Sequence, residues 1–170
     1  RTLAGRTGCG LCGVDSIEAA LRPVARATAK AVVERRAVER AMATLPQWQH
    51  INRSNGATHA AGWATADGTL IAAREDVGRH NALDKLAGAL ARLESATPGT
   101  VAPGGFVVVT SRCSYEMVHK AAAIGAAAIA AVSAPTSLSI ETAEQAGIAL
   151  VAFVRNGRLT AYANAGLIMP

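Results

Sequence analysis

Along this chain of 170 residues the spacing of hydrophobic positions changes several times, and each change marks an element. Ala31, Val38, Met42 and Leu45 recur at helical spacing, which predicts an amphipathic helix ended by Pro46. Upstream, Asp15 followed by Glu18 suits the cap of a short helix that Pro23 interrupts. The polar stretch "INRSNGATHAAG" reads as a loop leading into a strand. In "GWATADGTLIAAR" two apolar runs flank Asp67-Gly68, a favoured hairpin turn. "EDVGRHNALDKLAGALARL" then passes from loop to helix, with Leu83, Leu86, Leu90 and Leu93 on one face.

"SATPGTVAPGG" has the composition of a linker. Beyond it, "FVVVT", "AAAIAAVS" and "IALVAFV" are short apolar runs of the kind that form buried strands. They alternate with two helical segments, "SRCSYEMVHKAAAIG" closed by Gly125 and "APTSLSIETAEQAG" closed by Gly147. Asn156-Gly157 makes a second hairpin into "RLTAYANA". Alternating strands and helices predict an α/β layer structure, and the two hairpins make its sheet mixed. No internal repeat is visible.

Composition narrows the picture. With 51% apolar and 4% aromatic residues the chain suits closely packed helices on a sheet, in one domain large enough for a real core. No stretch is long and charge-free enough to span a bilayer, and no signal peptide is visible, so no membrane role is expected. The chain opens on Arg1 rather than Met and reads as a piece of a longer protein. Three cysteines, two of them close together, fit a reducing, cytoplasmic setting better than a disulfide scaffold. A net charge of +5 favours an anionic partner. The basic residues are scattered and stacking aromatics are few, which argues for a large phosphorylated ligand over a nucleic acid.

The strand-to-helix loops "REDVGRHN", "TSRCSYE" and "VSAPTS" are rich in polar residues and are expected at one sheet edge, where helix N-termini attract anions. Arg79, His80, Arg112, Lys85 and Lys120 would add positive charge there. Each has a plainer competitor: Asp76 can pair with Arg79, and Ser114, Thr136 and Ser137 can serve as helix caps. His50 and His119 read as surface residues, whereas His59 and His80 sit beside glycine-rich turns with equal claims to function and structure. A lone Cys113 reads as a small buried residue, and Trp48 and Trp63 as core.

"RTGCGLCG" places Cys9 and Cys12 in a Cys-x-x-Cys pair among glycines, in the open setting of a reactive thiol. Zinc normally needs four ligands, and the chain offers no second pair, although a dimer could supply one. A thioredoxin-type site wants a strand before the pair, and none is visible. A persulfide carrier needs only an accessible thiolate, with a second thiol to help release the sulfur.

"CGLCG", "THAA", "EDVGRHNALDKL", "SRCSYEMVHKAA", "AVSAPTS" and "LVAFVRNGRLTAYA" stand in the order and spacing of the formate dehydrogenase accessory sulfurtransferase (FdhD) family, which the chain resembles over nearly its whole length. The family's N-terminal segment before the cysteine motif is expected to be missing. The resemblance implies a cytidine deaminase-like three-layer sandwich with a mixed sheet. It divides the chain into a cysteine-motif loop and linker (1–27) and a cofactor-binding domain (28–170). It also implies a sulfurtransferase that takes a persulfide from a cysteine desulfurase and passes sulfur to the molybdenum bis(molybdopterin guanine dinucleotide) cofactor, bound as substrate, for apo formate dehydrogenase. By that resemblance Cys9 is the persulfide carrier, Cys12 assists, and the cofactor-binding stretch is Phe153, Val154, Arg155, Asn156, Gly157 and Arg158.

GDP would mimic part of this ligand, and a homodimer is expected. The loop residues Asp76, Gly78, Arg79, His80, Asn81, Ser111, Arg112, Ser133 and Thr136 are the candidates for the remaining nucleotide contacts, Asp76 facing a guanine edge. No structural metal is expected. A zinc deaminase would need a ligand-x-Glu motif and Pro-Cys-x-x-Cys, but His80 is followed by Asn81-Ala82 and Cys113 stands alone. A chaperone that binds the cofactor without sulfur chemistry is the other alternative. Asn55, Cys113 and Asn156 depart from the family's usual residues, and none touches the cysteine pair.

Overall fold

The computed structural model describes residues 23–26 and 31–170. Cys9, Cys12 and the Asp15–Glu18 segment lie outside the described residues. The first elements are β1 (Val33–Glu34), α1 (Arg35–Thr44), a 3-10 turn at Leu45–Trp48, α2 (His50–Asn55), β2 (His59–Ala64), β3 (Leu70–Asp76) and α3 (Arg79–Ala96). They are followed by β4 (Phe106–Val109), α4 (Tyr115–Ala123), β5 (Ala128–Ala131), α5 (Ser137–Ala146), β6 (Ala149–Arg155), β7 (Arg158–Ala163) and β8 (Ile168–Met169).

Six strands form one mixed sheet in the order β3-β2-β4-β5-β6-β7. The central three, β4, β5 and β6, are parallel, and the hairpins predicted at Asp67-Gly68 and Asn156-Gly157 add antiparallel strands outside them. Alternate residues of the central strands face two cores. Val107, Val109, Ile129, Ala131 and Leu150 pack with α3, α4 and α5, while Phe106, Val108, Ala128, Ala130 and Val151 pack with α1. Helices on both faces give the expected three layers and explain why these strands are continuously apolar rather than alternating.

Gly68 fixes how the first hairpin meets α1. Its φ is +88°, and a Cβ there would lie 2.3 Å from the carbonyl oxygen of Ala37. Trp63 is buried in the α3–α5 core and Trp48 packs partly buried on the α1 side, as expected.

Two boundaries differ from the sequence reading. The helix expected from Ala31 starts at Arg35, because Val33 and Glu34 are taken by parallel pairing with Ile168 and Met169. The stretch expected as loop before His59 contains α2, closed by Gly56 at φ +65°. The reason is long-range: the buried carboxylate of Glu75 accepts the N–H groups of Ile51 and Asn52, both at 2.8 Å, and caps the short helix from β3.

Candidate functional site

Strand directions place the C-terminal ends of β3, β4, β5 and β6 at one edge of the sheet, with the start of β2. That edge carries the "GRHN", "SRCS" and "SAPT" loops and the Asn156-Gly157 turn. Ala128 to Ala130 pair with Ala149 to Val151, so β6 runs on beyond β5 and carries the turn outward.

Asn156 and Gly157 have φ of 52° and 68°, the left-handed geometry that a two-residue hairpin turn requires. Just before it the pairing of β6 with β7 slips between Ala152 and Arg155, and Phe153 sits at φ 54°. A positive φ is strained for a phenylalanine and is the kind of outlier that concentrates at functional sites. The Phe153 ring lies 6.3 Å from that of Tyr162, and the Arg155 guanidinium 6.0 Å from its centroid. Phe153, Arg155, Asn156, Arg158 and Thr160 line an open concavity of about 380 Å³. Val154 instead points into the α1 core, and Arg35 of α1 donates to the Gly157 carbonyl at 2.9 Å, so the hairpin is anchored at root and tip. An aromatic face beside two cationic forks can stack a planar base and pair with phosphate.

The helix starts form a second group. Asp76 binds Lys85, accepts from Gly78 N–H at 2.9 Å and lies 3.3 Å from the Asn81 amide. The Lys85 hydrogen bond, then that from Gly78, lower its pKa to about 2. The competing Asp76–Arg79 pair is therefore not formed: Lys85 takes the carboxylate. Lys120 likewise binds Asp84 at 2.6 Å, so neither lysine adds the free charge expected of it.

His80 Nε2 lies 3.2 Å from Ser114 Oγ and 3.3 Å from Glu116 Oε2, and Ser114 donates to Glu116 at 2.8 Å. Burial is the largest effect on His80 and lowers its pKa, against the nearby Glu116 carboxylate. Cys113 is fully buried, as expected, which pushes its thiol up to about 12 and leaves it unreactive. Its backbone joins two loops: Cys113 N–H donates to Ala134 and Thr136 N–H donates to Cys113, each at 3.1 Å.

Thr136 caps α5 in a reciprocal box with Ser139. Ser111 is buried and donates to its neighbour's carbonyl, Arg112 is exposed, and Ser133 is partly buried. His59, weighed in the sequence with equal claims to function and structure, opens β2 opposite Asp76, and Glu116, which the sequence reading did not single out, joins this group. The only sign for Glu116 was an acid in the first turn of a helix, two residues after Ser114. Among the described residues no group of three or more His, Cys, Asp or Glu could hold a metal ion. None of the described helices is long and apolar enough to cross a membrane.

Residues 1–169 match the model of the FdhD/NarQ family. Among curated relatives, the sulfur carrier protein FdhD of Cupriavidus necator is 52% identical over 164 residues, covering 96% of this chain and 55% of that protein. That of Bordetella parapertussis is 51% identical over 164 residues, covering 96% and 58%. The chain thus spans a little over half the length of these relatives. A crystal structure from Desulfotalea psychrophila, described as a formate dehydrogenase accessory protein, superposes with a TM-score of 0.71 at 26% identity, covering 88% of this chain and 60% of that one.

Proposed function

Since the chain belongs to the FdhD/NarQ family, we propose that it is a sulfur carrier that serves formate dehydrogenase by delivering sulfur to a guanine dinucleotide cofactor of molybdenum. Its partners in this reading are a cysteine desulfurase, apo formate dehydrogenase and a second copy of the chain, in the cytoplasm. The Cys9 thiolate attacks the outer sulfur of the desulfurase persulfide, forming Cys9–S–SH and releasing the desulfurase thiolate. Cys12 thiolate then attacks the Cys9 sulfur, forming the Cys9–Cys12 disulfide and expelling hydrosulfide toward the metal, which is substrate here. The dithiol supplies both electrons of this second step.

The observation that supports the cofactor half is the Phe153–Thr160 concavity, where an aromatic ring and two arginines meet on a turn fixed by Asn156 and Gly157. Phe153 stacks the guanine, Arg155 and Arg158 bind its phosphates, and the turn adds backbone N–H groups. The "GRHN", "SRCS" and "SAPT" loops provide the remaining contacts. Asp76 is occupied by Lys85, so its role at a guanine edge requires that pair to open.

Titration calorimetry with GDP tests this reading. Arg155→Gln/Arg158→Gln should bind GDP at least about tenfold more weakly than wild type, from charge-assisted bonds of roughly 1.5–3 kcal/mol each, with guanosine little affected. Equal GDP affinity in the two proteins would contradict it.

A further inference from the structure

Arg79 opens the 18-residue α3, and among the described residues its side chain makes no ion pair or hydrogen bond. Its Nε is buried and has no partner. The acids around it are already engaged. Asp76 is held by Lys85 and the Gly78 N–H, Asp84 by Lys120, and one oxygen of Glu116 by Ser114 and His80, while its other oxygen is buried without a partner and makes no bond to Arg79. A guanidinium carries five donors in a planar fork, and burying part of it without an acceptor is costly.

Two histidines share its neighbourhood. His59 opens β2 opposite Asp76, and His80 is the next residue of α3. Burial, and after it the charge of Arg79, lowers the pKa of His59; His80 is lowered by burial first, and by Arg79 as well. A neutral imidazole carries one N–H donor: that of His80 is engaged by Ser114 and Glu116, which leaves His59 to offer its own, and the remaining ring nitrogen of either can accept a proton when negative charge arrives. The starts of α3 and α4 carry no side-chain cap, which leaves first-turn N–H groups at the same edge.

We infer that Arg79, His59 and His80 form an oxyanion pocket that takes a phosphate group, distinct from the Phe153 concavity. The pocket follows from Arg79 having no counter-ion among the described residues; only the source of the phosphate, a bound nucleotide or a free oxyanion, rests on the function proposed above. Arginine's fork matches two phosphoryl oxygens, His59 offers an N–H donor to a third, and His80 can take up a proton as the anion binds.

The test is an NMR titration of the whole chain with pyrophosphate, observing the ring resonances of its four histidines. His59 and His80 should shift saturably while His50 and His119 stay still. Arg79→Gln should weaken binding at least tenfold, and Arg92→Gln, the same charge change on the exposed face of α3, should not. No shift in wild type, equal shifts at all four histidines, or unchanged affinity in Arg79→Gln would overturn the inference. Should Arg79→Gln prove unfolded by circular dichroism, the wild-type pattern decides alone.

Repeating the titration with GDP and guanosine identifies the source. Shifts with GDP but not guanosine mean the nucleotide brings the phosphate, and shifts with pyrophosphate but not GDP mean a free oxyanion. A chain that binds pyrophosphate at these histidines and GDP nowhere would remove the cofactor reading and keep the pocket.

Discussion

Phe153 and Glu75 show what single residues contribute and what a sequence reveals of them. The family resemblance pointed to Phe153, but its left-handed backbone arises from the slip in β6–β7 pairing and left no mark in the sequence. Phe153→Gly relieves about 1 kcal/mol of backbone strain while removing the ring. We therefore expect a Tm near that of wild type and GDP affinity weaker by about 1–3 kcal/mol, the usual worth of one stacking contact. Retained affinity would mean that the ring does not meet the base.

Glu75 belongs to stability. Burial raises its pKa, but the N–H groups of Ile51 and Asn52 and the Thr58 hydroxyl outweigh that and lower it below the ordinary 4.5. A lowered carboxylate stabilises fully above its unfolded value and loses that contribution as pH falls through the folded one. Glu75→Gln should thus lower stability by about 1–3 kcal/mol at neutral pH and flatten the acid limb of the stability profile below about pH 5. Chemical denaturation across pH measures both.

At the level of elements, segments with their own period were legible and segments ordered by distant partners were not. The leucine face of α3, the closing glycines of α4 and α5 and both hairpin turns follow from local chemistry. By contrast, α2 depends on a carboxylate some twenty residues away, and β1 on the chain's last strand. Two substitutions test the local rules. Thr136→Ala removes the α5 cap and should cost about 1 kcal/mol in thermal unfolding. Gly68→Ala puts a methyl against the Ala37 carbonyl at a left-handed position, so it should destabilise by more than the 1–2 kcal/mol of the conformation alone. A Gly68→Ala protein as stable as wild type would mean that the hairpin and α1 do not meet as described.

Over the whole molecule, the three layers gather the polar loops at one sheet edge because the parallel strands all end there. The alternation of elements predicted this, and the +5 charge predicted an anionic guest. Charge counting was less informative than pairing, since Lys85 and Lys120 are neutralised while Arg79 has no ion-pair partner among the described residues. No composition argument could have shown sulfur transfer, which rests on the cysteine pair and the family. The most direct test of that claim is the intact mass of the chain after incubation with a cysteine desulfurase and cysteine, beside Cys9→Ala and Cys12→Ala. The account predicts a gain of sulfur that reductant removes, kept in Cys12→Ala and lost in Cys9→Ala. No gain in a wild-type chain that still binds GDP, or a gain that persists without Cys9, would contradict it.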